Sequence, residues 1–211
     1  MQEVLPLLGI TGAITVGAMS PGPSFLMVAR TAVASSRSAG LAAALGMGAG
    51  GVLFAVAALA GLQAVFAAIP GVYLVLKVVG GLYLVYLGRR IWKGAAKPLA
   101  LQSEAPEPKT QDAKRAFVMA LGTQVSNPKA AIVYASVFAA FLPRNFPLLL
   151  GMSTVVIIFM IEAGWYSLVA VALSSSRPRA AYLRYKAWVD RATGGVMAIL
   201  GIKLITSARQ V

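Results

Sequence analysis

The sequence predicts an all-α integral membrane protein: six transmembrane helices forming two inverted three-helix repeats, with helices one and four broken by proline. Three observations predict it. The 211 residues are 59% apolar and only 12% charged, with a mean hydropathy of +0.79, which excludes a soluble domain with an ordinary core. Two apolar runs are interrupted, one at Ser20-Pro21-Gly22-Pro23-Ser24 and the other at Asn127-Pro128-Lys129. Basic residues gather in alternate connections between the apolar runs, as the positive-inside rule requires of a multi-pass protein.

Crossing ~30 Å of hydrocarbon at 1.5 Å per residue takes about 20 residues. The uncharged run from Val4 to Ala29 supplies span one, at roughly 4–28. With Glu3 but no Lys or Arg ahead of it, this run lacks the basic flank of a signal peptide and is expected to stay as a helix. Pro21 and Pro23 have no N–H, so the carbonyls of Gly17 and Met19 are expected to lose their helical partners. An unsatisfied carbonyl costs several kcal/mol in a bilayer unless protein or a water-filled cavity surrounds it. A broken helix at that depth therefore points to the interior of a transport protein.

Ser38 to Leu76 is also uncharged, and too long for one ordinary span. Ile69-Pro70-Gly71 supplies a turn, giving span two at roughly 40–68 and span three at roughly 71–91. Ala42, Gly46 and Gly50 recur every four residues in span two, a face on which another helix can approach closely. Residues 94–114 carry three prolines and mixed charge without periodicity, the composition of a flexible linker. Span four follows at roughly 116–142, where Pro128 should free the carbonyl of Gln124; spans five and six follow at roughly 148–173 and 189–207.

The halves are related. Pro23 and Pro128 lie 105 residues apart, and the same offset carries Leu45-Gly46-Met47 onto Leu150-Gly151-Met152. Lys77-x-x-Gly80-Gly81 is similar to Arg191-x-x-Gly194-Gly195. The chain is therefore read as one membrane domain over 1–211, with repeats at 1–93 and 115–211. Fourteen Lys and Arg fall in connections one, three and five, against three on the other side. This predicts a cytoplasmic linker with both termini outside. Three spans per repeat is an odd number, so the halves are inverted. The basic residues behind the formal charge of +13 lie mostly in the connections, which argues against nucleic acid as a partner.

No cysteine or histidine is present, so thiolate chemistry and the commonest metal ligand are absent. No cofactor or metal is expected. Lys129 and Glu162 fall near the middle of spans four and five, and charges at that depth usually mark an ion or substrate pathway. A structural ion pair between them is the plainer alternative. Lys77 and Lys203 lie nearer span ends and are expected to snorkel. The helix restarting after Pro23 exposes N–H groups that favour an anion, and the restart after Pro128 adds Lys129. Ser20, Ser24, Ser126 and Asn127 supply neutral hydrogen-bonding groups. These features suit a small zwitterion, its carboxylate near Lys129 or a helix N-terminus and its ammonium on freed carbonyls or Glu162. Glu162 is the candidate for proton coupling.

These motifs resemble the LysE/RhtB family of amino-acid exporters. The likeness runs through Ser20-Pro21-Gly22-Pro23, Arg30, Ser38-Ala39-Gly40-Leu41 and Leu76-Lys77-x-x-Gly80-x-x-Tyr83-Leu84-x-Tyr86-Leu87-Gly88. It continues through Asn127-Pro128-Lys129-Ala130 and Leu200-Gly201-x-Lys203-Leu204, covering nearly the whole chain apart from the linker. Ser24 departs from the asparagine that many members carry, which bears on substrate choice. The resemblance implies export of amino acids or close derivatives across the bacterial inner membrane, driven by the proton-motive force. A membrane-embedded lipid-modifying enzyme would be expected to show acid-rich metal motifs or a histidine. An exporter of another small solute or cation stays open, as does a homo-oligomer.

Overall fold

Each predicted proline break divides an apolar run into two helices. The computed structural model describes residues 4–68, 72–97, 112–143 and 146–208, and every regular element among them is helical. In chain order these are α1 (Val4–Met19), α2 (Pro23–Ala34), α3 (Arg37–Ala68), α4 (Val72–Gly94), α5 (Ala113–Val125), α6 (Pro128–Phe141), α7 (Leu148–Leu173) and α8 (Ser176–Ala208). The α1–α2 pair bends by 55°. Pro23 and Pro128 both open their helices, where a missing N–H costs no hydrogen bond. One expected consequence is corrected: the Gln124 carbonyl is not left free, because a tight turn lets Asn127 N–H donate to it at 3.1 Å. The Gly17 carbonyl likewise accepts from Ser20 N–H at 3.3 Å.

The other boundaries follow the apolar pattern, except that α8 begins at Ser176 rather than near 189. Its first turns are charged, so hydropathy does not reveal them, and Pro178 lies in the first turn, where proline is tolerated. The turn at 69–71 and residues 98–111 of the linker lie outside the described residues. At the far side of those residues α5 begins at Ala113.

Among the described residues, two helices are by themselves long and apolar enough to cross a membrane, Arg37–Leu62 within α3 and Leu148–Leu173; the bent α1–α2 pair makes a third if taken as one span. Large apolar side chains face outward along them, including Leu53, Val56, Val156, Met160 and Leu168, while Ser24, Gln124, Asn127 and Glu162 are buried. This inside-out distribution suits a lipid surround.

Among the described residues, the interior contains two apolar clusters. The first joins Ile10 and Ile14 of α1, Val133, Val137 and Phe138 of α6, Ile158 of α7 and Met197 of α8. The second joins Phe25 and Val28 of α2, Ala39 to Met47 of α3, Ala116 and Ala120 of α5, and Tyr166 to Leu173 of α7. The α1–α2 pair thus runs from the first cluster to the second, whereas α5–α6 runs from the second to the first. Arg30 and Arg37 flank the α2 and α3 residues of the second cluster, and the basic start of α8 reaches that cluster through Tyr182, with Lys186 meeting the Ala95 carbonyl beyond α4.

Glycines set how closely the counterpart helices pack. A Cβ on Gly81 would strike the Gly201 carbonyl, and one on Gly201 the Gly81 carbonyl; Gly88 and Gly194 are related in the same reciprocal way. As the α4 number rises the α8 number falls, so the two helices are antiparallel and in backbone contact. In α3, Gly40 meets Ala170 and Gly48 meets Ala163 of α7, again antiparallel, while Gly46 and Gly50 admit Ala120 and Gln124 of α5. The small-residue face of α3 is thus a packing face. Lys203 is exposed, as expected for snorkelling. Lys77 departs from that expectation and is buried at 7% exposure, on the helix whose Gly80 touches Ser136 of α6.

Candidate functional site

The two breaks meet at a small cavity between the apolar clusters. Its lining includes Gly17, Ser20, Gly22, Ser24, Gln124, Asn127, Lys129, Tyr134, Glu162 and Tyr166. Ile14 and Val133 close it on the side of the first cluster, and Phe25 on the side of the second. About 30 Å³ of free space remains, room for roughly two waters and too little for an amino acid.

Side chains of the two breaks are hydrogen-bonded to each other. Asn127 Nδ2 donates to Ser24 Oγ at 2.9 Å, and Ser24 Oγ donates to Gln124 Oε1. Ser24 also lies within reach of the Tyr166 hydroxyl. Asn127 additionally caps α6, its Oδ1 accepting from Lys129 N–H at 3.0 Å. The α2 N-terminus, by contrast, has no side-chain cap at Gly22, so its first N–H groups keep their capacity for an acceptor.

Lys129 reaches across to the first break. Its Nζ donates to the Ser20 carbonyl at 2.9 Å and leans toward the Gly17 carbonyl at 3.5 Å. A positive charge at the end of α1 complements the helix dipole. It also lies beside Gly22, where an added Cβ would be 3.4 Å from Nζ. The sequence offered Lys129 or a helix N-terminus for a substrate carboxylate, and freed carbonyls or Glu162 for its ammonium; here Lys129 and the break carbonyls are joined to each other. An ammonium has three donors, so one remains.

Glu162 is 3% exposed. Its Oε1 accepts from the Tyr134 hydroxyl at 3.0 Å, while Oε2 is buried without a partner. No direct ion pair joins it to Lys129, although both line the cavity. Gly51 of α3 makes room for this arrangement, since a Cβ there would fall 2.8 Å from Tyr134 Oη and 3.1 Å from Glu162 Cγ.

Of the residues expected from sequence, Ser20, Gly22, Ser24, Asn127, Lys129 and Glu162 line the cavity. Pro21, Pro23 and Pro128 shape the breaks without lining it, and Ser126 is exposed. Gln124, Tyr134 and Tyr166 were missed. Gln124 lies three residues before the second break, a signal that was available; the two tyrosines sit in unbroken apolar helix with nothing local to mark them.

The model of the LysE type translocator family matches residues 15–208. Threonine efflux proteins of Escherichia coli (strain K12) and Salmonella typhi are each 33% identical to this chain over 192 residues, covering 91% of it and 93% of their own length. No solved structure matches it.

Proposed function

The chain belongs to the LysE type translocator family, and on that premise we propose that it is a secondary transporter exporting small amino acids across the bacterial inner membrane. One observation carries the reading: a small cavity holding one ammonium and one carboxyl group, with Ser24, Gln124 and Asn127 beside them, lies where two broken helices meet between apolar clusters. A solute path needs polar groups at the centre and a barrier on either side, opened one at a time.

The substrate carboxylate would sit at the uncapped N-terminus of α2, with the remaining donor of Lys129 beside it. The ammonium would face Glu162 Oε2 and the Tyr134 hydroxyl, and Ser24, Asn127 and Gln124 would meet the side chain. Because relatives are named for threonine efflux, threonine is the first substrate to test. Glu162 is proposed as the coupling group, gaining and losing a proton as access alternates.

The reading includes six spans in two inverted repeats, with α1–α2 and α5–α6 each counted as one broken span. It is supported by the opposite directions of the broken pairs between the clusters, and by the antiparallel contacts of α3 with α7 and α4 with α8. Basic residues at the second cluster's end support a cytoplasmic side there. The test is efflux from overexpressing cells loaded with a panel of labelled amino acids. Threonine or another small amino acid should leave faster than from cells without the protein. Equal efflux for the whole panel would refute the reading.

A further inference from the structure

Asp190 lies outside the central cavity, yet it is 3% exposed. It shares the inward face of α8 with the half-buried Tyr182 and with buried Lys186 and Thr193, before that face turns apolar at Met197 and Leu204. Lys186 Nζ donates to Asp190 Oδ2 at 2.6 Å and reaches the Ala95 carbonyl, just beyond α4, at 3.4 Å. Asp190 Oδ1 is buried without a hydrogen-bond partner, and so is the Tyr182 hydroxyl. Buried polar atoms are nearly always paired, so an unpaired carboxylate oxygen requires an explanation. Helix stabilisation does not supply it. Lys ahead of an acid is the weaker order at four-residue spacing, and a buried ion pair is poor evidence of stability.

The surroundings of Lys186 Nζ form a site for a primary ammonium: one carboxylate oxygen, one carbonyl oxygen and a second carboxylate oxygen unused. An amino acid carries the same head group. The position along the path also fits. Tyr182 stacks on Phe25 with ring centroids 5.3 Å apart, and Phe25 lines the central cavity on the second cluster's side. Farther along the same face of α8, Met197 packs beside Gly17.

We propose that Asp190, with the Ala95 carbonyl, is a second ammonium-binding position on the cytoplasmic approach to the cavity. Lys186 holds it when no substrate is present, and the substrate's ammonium replaces Lys186 on entry. The assignment rests on the export reading above. Exchanging one ammonium for another keeps the carboxylate paired, so the cost of an uncompensated buried charge does not arise. The flexible four-carbon stem of lysine allows the exchange by side-chain rotation.

Inside-out membrane vesicles present the cytoplasmic side to the medium and allow KM and the maximal rate to be measured for entry. Asp190→Asn should raise KM for the amino acid roughly tenfold, the scale of one charge-assisted hydrogen bond, with the maximal rate little changed. Inhibition by the matching 2-hydroxy acid, which has no ammonium, should be unaffected. Asp190→Glu should recover part of the loss. Lys186→Met, which removes the internal competitor, should lower KM. A rise in KM that extends equally to the 2-hydroxy acid would overturn the assignment, leaving a structural pin. So would an unchanged or raised KM in Lys186→Met, which decides the matter even where Asp190→Asn fails to insert. Wild-type vesicles inactive toward every amino acid would overturn the export reading itself, and this assignment with it.

Discussion

Lys129→Met removes one charged donor while keeping much of the side-chain volume. In the wild type Nζ donates to the Ser20 carbonyl at 2.9 Å, and the Gly17 carbonyl keeps the Ser20 N–H at 3.3 Å. The loss therefore falls on the Ser20 carbonyl and on the anion held by the remaining proton. A hydrogen bond to a charged group contributes about 1.5–3 kcal/mol. At 1.36 kcal/mol per decade this is roughly ten- to a hundred-and-fifty-fold in affinity for the carboxylate. Lys129→Gln separates the two duties, because it retains a neutral N–H donor for the carbonyl and carries no charge. The glutamine variant should insert and melt in detergent like the wild type, yet show a KM raised by that factor in inside-out vesicles. The methionine variant should lose thermal stability as well. A decarboxylated amine should compete weakly against the wild type and lose little more in either variant. Wild-type KM in Lys129→Gln, or equal weakening of the amine and the amino acid, would refute the carboxylate assignment and leave Lys129 as a staple between the breaks.

Glu162→Gln keeps an acceptor for the Tyr134 hydroxyl and removes the exchangeable proton. It should abolish accumulation driven by a proton gradient while downhill exchange continues; undiminished uphill export would exclude the coupling role. Gly51→Ala would push a Cβ to 2.8 Å from Tyr134 Oη, and overpacking of this kind costs about 1–3 kcal/mol. Its melting temperature should fall, whereas Gly12→Ala, with nothing within 4 Å of the added Cβ, should not be destabilised. Equal behaviour of the two would show that the Tyr134–Glu162 contact tolerates crowding. The protein has no cysteine, so a single cysteine at Ser103 reports the side of the linker. It should resist an impermeant thiol reagent in intact cells and react in inside-out vesicles, and labelling in intact cells would reverse the proposed topology.

The sequence alone determined both breaks, because a proline without an N–H ends a helix wherever it falls. It also determined the small-residue face of α3, through a period that needs no partner to be visible. Apolar length located α3 and α7, but missed the start of α8, whose first turns are charged and helical together. Only the tertiary structure decided which breaks meet. Lys129 is 109 residues from Ser20, and Asn127 is 103 from Ser24; no local pattern encodes such pairings. Tyr134, Tyr166 and Asp190 gained their significance in the same way, from the faces that close packing at Gly51, Gly88 and Gly194 brings together. The fate of the break carbonyls also depended on the fold. Local rules say that a carbonyl loses its helical donor, whereas its replacement, a turn N–H for Gln124 and a distant ammonium for Ser20, depends on what the rest of the chain delivers to that point.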